Sequence, residues 1–138
     1  MRIRASVRNS RGLNSVTLRT NDHEHTLPVP PKSSGVGSSV NGGEFLFLAL
    51  ASCYCNDVYR EAARRGIEVT DVEVSVEGDF GAEGDAASNV TYSAIVCAHA
   101  SEEEIRNLMR HTDTVAEIQN TLRQGVNVSL QGVEAKSV

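Results

Sequence analysis

The stretch from Gly42 to Arg65, GGEFLFLALASCYCNDVYREAARR, constrains the chain more than any other. It contains no proline and reads as a single helix. Its first half, centred on the run Phe45 to Ala51, is apolar on every face, the pattern of a helix buried inside a core. Its second half turns polar and ends in Arg64 and Arg65, which suit the negative end of the helix dipole, and Gly66 is a natural residue to stop it.

The flanking segments read mostly as strands. Residues 2–9, 14–20 and 24–29 alternate loosely between apolar and polar, with Arg11-Gly12 and Asn21-Asp22 as turns, so they predict a small antiparallel meander. PPKSSGVGSSVNGG, residues 30–43, is a loop. After the helix, residues 67–80 place Val72, Val74 and Val76 on one face and Asp71, Glu73, Ser75 and Glu77 on the other, a half-buried strand. Residues 89–99 supply its hairpin partner. Ser101 with Glu104 forms a capping box opening a helix through about His111, and Thr114 with Glu117 predicts a second box and a helix ending before Gly125. VNVSL, residues 126–130, reads as a last short strand. The order β-β-β-α-β-β-α-α-β predicts an α+β fold in a single domain spanning 1–138.

Composition narrows the function classes. A net charge of −5 argues against nucleic acid, which needs a basic face to displace phosphate counterions. No apolar run is long enough to span a bilayer, and the basic start MRIRASVRNSRG is not followed by the apolar segment of a signal peptide. A cytoplasmic protein with no membrane partner is expected. The Gly-rich loop lacks both the Gly-Lys-Ser/Thr ending of a phosphate-binding loop and the third glycine of a dinucleotide fingerprint, so no nucleotide cofactor is expected. His23-Glu24-His25 could set two imidazoles on one side of a strand, but a third ligand is not visible, and no metal is expected.

Three cysteines remain: Cys53, Cys55 and Cys97. An odd count in a cytoplasmic chain argues against a disulfide framework. Cys97 continues an apolar strand and reads as packing. Cys53 and Cys55 lie about 200° apart around the helix and cannot be bridged without unwinding it. Cys53 shares its face with Leu46, Ala49, Leu50, Asn56, Asp57 and Arg60. At mid-helix the dipole does little for it, so a reactive thiolate there needs a cation brought from another segment. The residues alone leave Cys53 open between a small packing hydrophobe and a nucleophile.

Asn41-Gly42-Gly43-Glu44, the run Phe45 to Ala51, and Ser52-Cys53-Tyr54 together resemble the OsmC/Ohr family of osmotically inducible and organic hydroperoxide resistance proteins. QNTLRQGVNVSL is similar to the family's later Ser-Asn-Thr-Leu segment. The resemblance implies an OsmC-like fold, a curved antiparallel sheet around a long buried central helix, in an intertwined homodimer. One subunit with three Phe, three Tyr and no Trp is poorly equipped to cover such a helix alone, which is in keeping with a dimer. The resemblance also implies thiol-dependent reduction of organic hydroperoxides with Cys53 as the attacking cysteine, a small apolar hydroperoxide and a thiol reductant as partners, and no cofactor. The family's second, resolving cysteine does not carry over: Ala116-Glu117 stands in its place. Glu44 is the acidic residue at the helix start, displaced by one position because Gly43 takes the usual place. The activating cation is sought among Arg8, Arg11 and Lys32, with Arg11 assigned alongside Cys53 and Glu44. Three schemes stay open: a one-Cys peroxidase, a peroxidase resolved by Cys55 or Cys97, and an OsmC-fold binding or scaffold protein without turnover.

Overall fold

The computed structural model describes residues 1–137. The elements in order are β1 (Ile3–Ser10), β2 (Leu13–Thr20), β3 (His23–Thr26), α1 (Gly42–Arg64), β4 (Val69–Asp79), β5 (Ser88–Ala98), α2 (Glu102–Val115) and α3 (Glu117–Gln124). The fold is α+β, and its antiparallel strands form two sheets, β1-β2-β3 and β4-β5. The chain divides into two compact units, Met1–Leu46 and Phe47–Val138.

In the first unit, two-residue turns set the register. Arg11 and Gly12 both take positive φ, 52° and 79°, as the turn that follows strand twist requires, and Ser10 pairs with Leu13 across it. Register then puts Ala5 opposite Leu18 and Val7 opposite Val16 on one face, and Arg4 opposite Arg19 on the other. β3 is shorter than the 24–29 expected. Pro28, Pro30 and Pro31 have no N–H to give a ladder, so pairing stops at Thr26.

The second unit contains the clustered core. Tyr54, Val58 and Ala62 recur every four residues on α1 and are buried with Leu108 and Ala116. Val72 and Val74 of β4 and Tyr92, Ala94 and Val96 of β5 pack against them, the inner face that their alternation predicted. At the end of the β4-β5 hairpin Gly78 sits in a register shift, where a Cβ would lie 2.9 Å from the Phe47 ring and 3.0 Å from Val90. Backbone there has to pass close to Phe47, so only glycine fits.

Two expectations are corrected, and one is met only in part. Within one chain the apolar first half of α1 is partly covered: Leu48 is 57% exposed, while Leu50 and, further along, Tyr54, Asp57, Val58, Glu61 and Ala62 are buried. Burial follows the stripe facing β4 and β5, not overall apolarity. Thr114 does not cap α3. Its hydroxyl donates back to the His111 carbonyl, α2 runs on to Val115, and Ala116 joins the two helices without a side-chain cap. Residues 126–130 form no strand, because no neighbouring strand among the described residues offers them a ladder, and Val126, Val128 and Leu130 are exposed. The Ser101–Glu104 capping box forms as predicted, and Gly66 takes the positive φ, 66°, that ends α1. Among the described residues no helix is long and apolar enough to cross a membrane.

Candidate functional site

Cys53 lies on α1, one turn before Asp57 and two before Arg60. Helical spacing therefore brings these three side chains into a row. The Cys53 thiol donates to Asp57 Oδ2 at 3.6 Å, a weak sulfur hydrogen bond. Asp57 Oδ1 is held by Arg60 Nη1 at 2.7 Å, so one carboxyl group separates guanidinium from thiol. Arg60 also reaches Glu61 through Nε at 3.1 Å and, more distantly, Glu117 of α3 at 3.5 Å. Glu61 receives Arg64 at 2.8 Å and His111 of α2 at 3.2 Å as well. Asp57 and Glu61 are buried carboxyl groups. Each is paired with a guanidinium, which offsets part of the penalty that a buried charge carries.

The start of α3 closes the site. The Ile118 backbone N–H faces the Cys53 sulfur and favours its anion, and Glu117 places its carboxylate beside it. Gln119 Nε2 donates to the Leu50 carbonyl at 3.0 Å and ties α3 to α1 one turn before Cys53. Tyr54 ties the same helix to α2 by donating to the Met109 carbonyl at 2.8 Å. The ring of Tyr54 meets that of Tyr92 edge to face, 5.0 Å between centroids. Tyr92 donates to Asp113, which Arg123 of α3 pairs at 2.6 Å.

Electrostatics at the thiol oppose one another. Burial pushes the Cys53 thiol up, the Ile118 N–H pulls it down, and the carboxylates of Asp57 and Glu117 push it up further, with a net rise. Asp57 is likewise raised, by burial first and then by Glu117, while Arg60 works against the rise. Glu117 is lowered by its own backbone N–H, and the nearby guanidinium of Arg60 adds to this. The pair therefore divides its roles: Asp57 is the carboxyl that more readily takes a proton, and Glu117 stays ionised. The sulfur and one oxygen from each of Asp57 and Glu117 lie within 4.8 Å of one another, the one such group of three donors among the described residues. Arg60 already supplies positive charge to both carboxylates, so no metal is assigned here.

Asp57 and Arg60 were visible as face-mates of Cys53 in the helical spacing. The structure adds Glu61, His111, Glu117 and Gln119, which come from later segments or the next turn. It also sets the Ala116-Glu117 junction against the thiol, with Ala116 fully buried in the core cluster. Cys55 and Cys97 are free thiols, and Cys97 is exposed on β5. Glu44 is engaged in a capping box at the start of α1: its carboxylate accepts the Asn41 N–H at 2.7 Å, and Asn41 Oδ1 accepts the Glu44 N–H at 2.9 Å. Arg8 on β1, Arg11 in the first turn and Lys32 in the loop belong to the first unit. Within the second unit, the guanidinium that joins the thiol's hydrogen-bonded group is Arg60.

The model of the OsmC-like protein family matches residues 35–131, more than half of the chain. The chain belongs to the OsmC-like family. Solved structures share the fold of this OsmC-like chain at low identity. An OsmC-like protein from Mycoplasma pneumoniae is 19% identical with a TM-score of 0.63, covering 89% of this chain and 88% of its own. An organic hydroperoxide resistance protein from Elizabethkingia anophelis is 15% identical with a TM-score of 0.60, covering 89% of each. An OsmC-like hydroperoxide resistance protein from Jannaschia is 14% identical with a TM-score of 0.57, covering 98% of this chain and 93% of its own. No curated protein matches the chain.

Proposed function

We propose that this OsmC-like protein reduces organic hydroperoxides in a thiol-dependent cycle, with Cys53 as the single attacking cysteine. One observation carries the reading: Cys53 is a partly buried thiol held between a carboxyl group that can take its proton and a backbone N–H that stabilises its anion. Two of the structural relatives are described as hydroperoxide resistance proteins, which is in keeping with it.

The chemistry needs no cofactor. The Cys53 sulfur attacks the terminal oxygen of the hydroperoxide and the O–O bond breaks. Asp57 accepts the thiol proton and passes it to the departing alkoxide. The products are an alcohol and Cys53 sulfenic acid. A first external thiol condenses with the sulfenic acid, releasing water and leaving a mixed disulfide. A second thiol releases reduced Cys53 and carries off the disulfide. Ala116 stands where a resolving cysteine would, so both thiols come from solution. A cytoplasmic setting, where such thiols are abundant, suits three free cysteines.

The assembly we propose is a homodimer. Leu48 and Tyr59 on α1, Ile95 on β5 and Val126, Val128 and Leu130 near the C-terminus are large apolar side chains left exposed by one chain. A second copy would cover them.

Loss of cumene hydroperoxide in the presence of a dithiol tests the function. We expect turnover by the native protein and by Cys55→Ser, and none above background by Cys53→Ser. Equal rates for native protein and Cys53→Ser would leave a binding or scaffold role, the alternative that the raised thiol of Cys53 favours.

A further inference from the structure

The first unit supplied the expected cations, yet the guanidinium inside the thiol's own cluster comes from α1. We propose that Arg60 is the positioning residue that stabilises a Cys53 thiolate through Asp57, and that Glu117 acts as a brake by competing for the charge of Arg60. The inference rests on Cys53 being the reactive thiol and adds how its ionisation is set.

Arg60 divides its five donors among three carboxylates. Nη1 is 2.7 Å from Asp57 and 3.5 Å from Glu117, and Nε is 3.1 Å from Glu61. Glu61 is served by Arg64 and His111 as well, so Arg60 is not its only partner. Asp57 and Glu117 are different. Arg60 is the one cation paired with either among the described residues, and the two compete for it. When Cys53 gives up its proton to Asp57, Asp57 becomes neutral and the new negative charge lies on sulfur. Arg60 is then one carboxyl group away from the only partner that has gained charge. The Glu117 carboxylate lies within 4.8 Å of the sulfur and 3.5 Å from Arg60 Nη1, so it competes with the thiolate for the guanidinium. It also repels the thiolate directly.

The ionisable groups around the thiol are thus Asp57 and Arg60 on its own helix, Glu61 and Arg64 behind them, His111 from α2 and Glu117 from α3. From β4 and β5, the apolar side chains of Val72, Val74, Ala94 and Val96 pack on the core cluster of α1. Glu117 opens α3 at the junction aligned with the family's resolving cysteine.

Alkylation of Cys53 by iodoacetamide as a function of pH tests this without requiring peroxide turnover, in a Cys55→Ser, Cys97→Ser background that leaves one thiol. A failed peroxidase assay would therefore not decide it. Glu117→Gln is expected to speed alkylation at pH 7 by about threefold to tenfold and to move the profile toward lower pH, as removal of one close like charge does. Arg60→Ala is expected to slow it by about threefold or more. Arg60→Lys keeps the charge without the fork and should fall between the two. The double variant decides the route. If Glu117 acts through Arg60, Glu117→Gln gains less than half as much in the Arg60→Ala background. An equal gain in both backgrounds, or an unchanged profile for Arg60→Ala and Arg60→Lys, would overturn the assignment and leave Glu117 acting by repulsion alone.

Discussion

Residues 1–46 and the chain beyond them are built on opposite terms. The first unit has six Lys and Arg against three Asp and Glu; the remainder has seven against fifteen. The first is a three-stranded sheet whose outer strands β1 and β3 are exposed along their whole length. The second packs α1, α2 and the β4-β5 hairpin around a buried cluster. The clustered core and the candidate thiol Cys53 therefore reside in the acidic unit, while most of the arginines without an ion pair among the described residues reside in the basic one. A thiol among carboxylates is a poor thiolate, which is why the proposed activation of Cys53 is assigned to the one cation beside it, Arg60.

The widest gap between the two units should be in stability. Leu108→Ala opens the fully buried cluster and is expected to cost about 2–5 kcal/mol in urea unfolding. Val7→Ala, on a side chain 68% exposed, should cost no more than about 0.5 kcal/mol in a monomer. A cost above about 1 kcal/mol for Val7→Ala that rises with protein concentration would instead show its face covered by a second copy. Gly78→Ala comes next. The added methyl meets Phe47 and Val90, and a loss of about 1–3 kcal/mol is expected by the same measurement.

Capping gives a smaller and more even comparison. Asn41→Ala at the start of α1 and Ser101→Ala at the start of α2 should each cost about 1 kcal/mol, since both boxes are fully formed. If Asn41→Ala left stability unchanged, the Asn41–Glu44 box would not hold the start of α1, and Glu44 would be free for another role.

The smallest effect is at acid pH. Burial pushes the Asp113 carboxyl up, but the Tyr92 hydroxyl and Arg123 more than offset this, and its value is lowered. Its contribution to stability is therefore present above the ordinary aspartate value and is lost as pH falls through the lower folded one. Asp113 is well exposed, so solvent screening limits this to under about 1 kcal/mol. Tyr92→Phe should flatten the acid limb of a stability–pH profile; an unchanged limb would show that Arg123 alone sets it.

How much of this the sequence discloses depends on the range of the interaction. The β4 alternation, the Ser101–Glu104 box and the Cys53-Asp57-Arg60 row are local periodicities, and each survives in the structure. The false box at Thr114 has the same local pattern, but the helix before it continued and took the hydroxyl. Residues 126–130 show why a strand pattern is not a strand: pairing needs a neighbour, which a pattern cannot supply. Glu117 and Gln119 reach α1 across more than fifty residues, so no spacing rule points to them. Only the alignment of Ala116-Glu117 with a lost cysteine marked that place in advance.

The most direct test of the central claim is to treat reduced protein with one equivalent of cumene hydroperoxide and trap sulfenic acid with dimedone. Mass spectrometry of the peptides then locates the label. Dimedone is expected on Cys53, with little on Cys55 or Cys97, and labelling should grow as pH rises because the thiol is raised. Absence of label on Cys53 at alkaline pH, with the label on Cys97 instead, would contradict it.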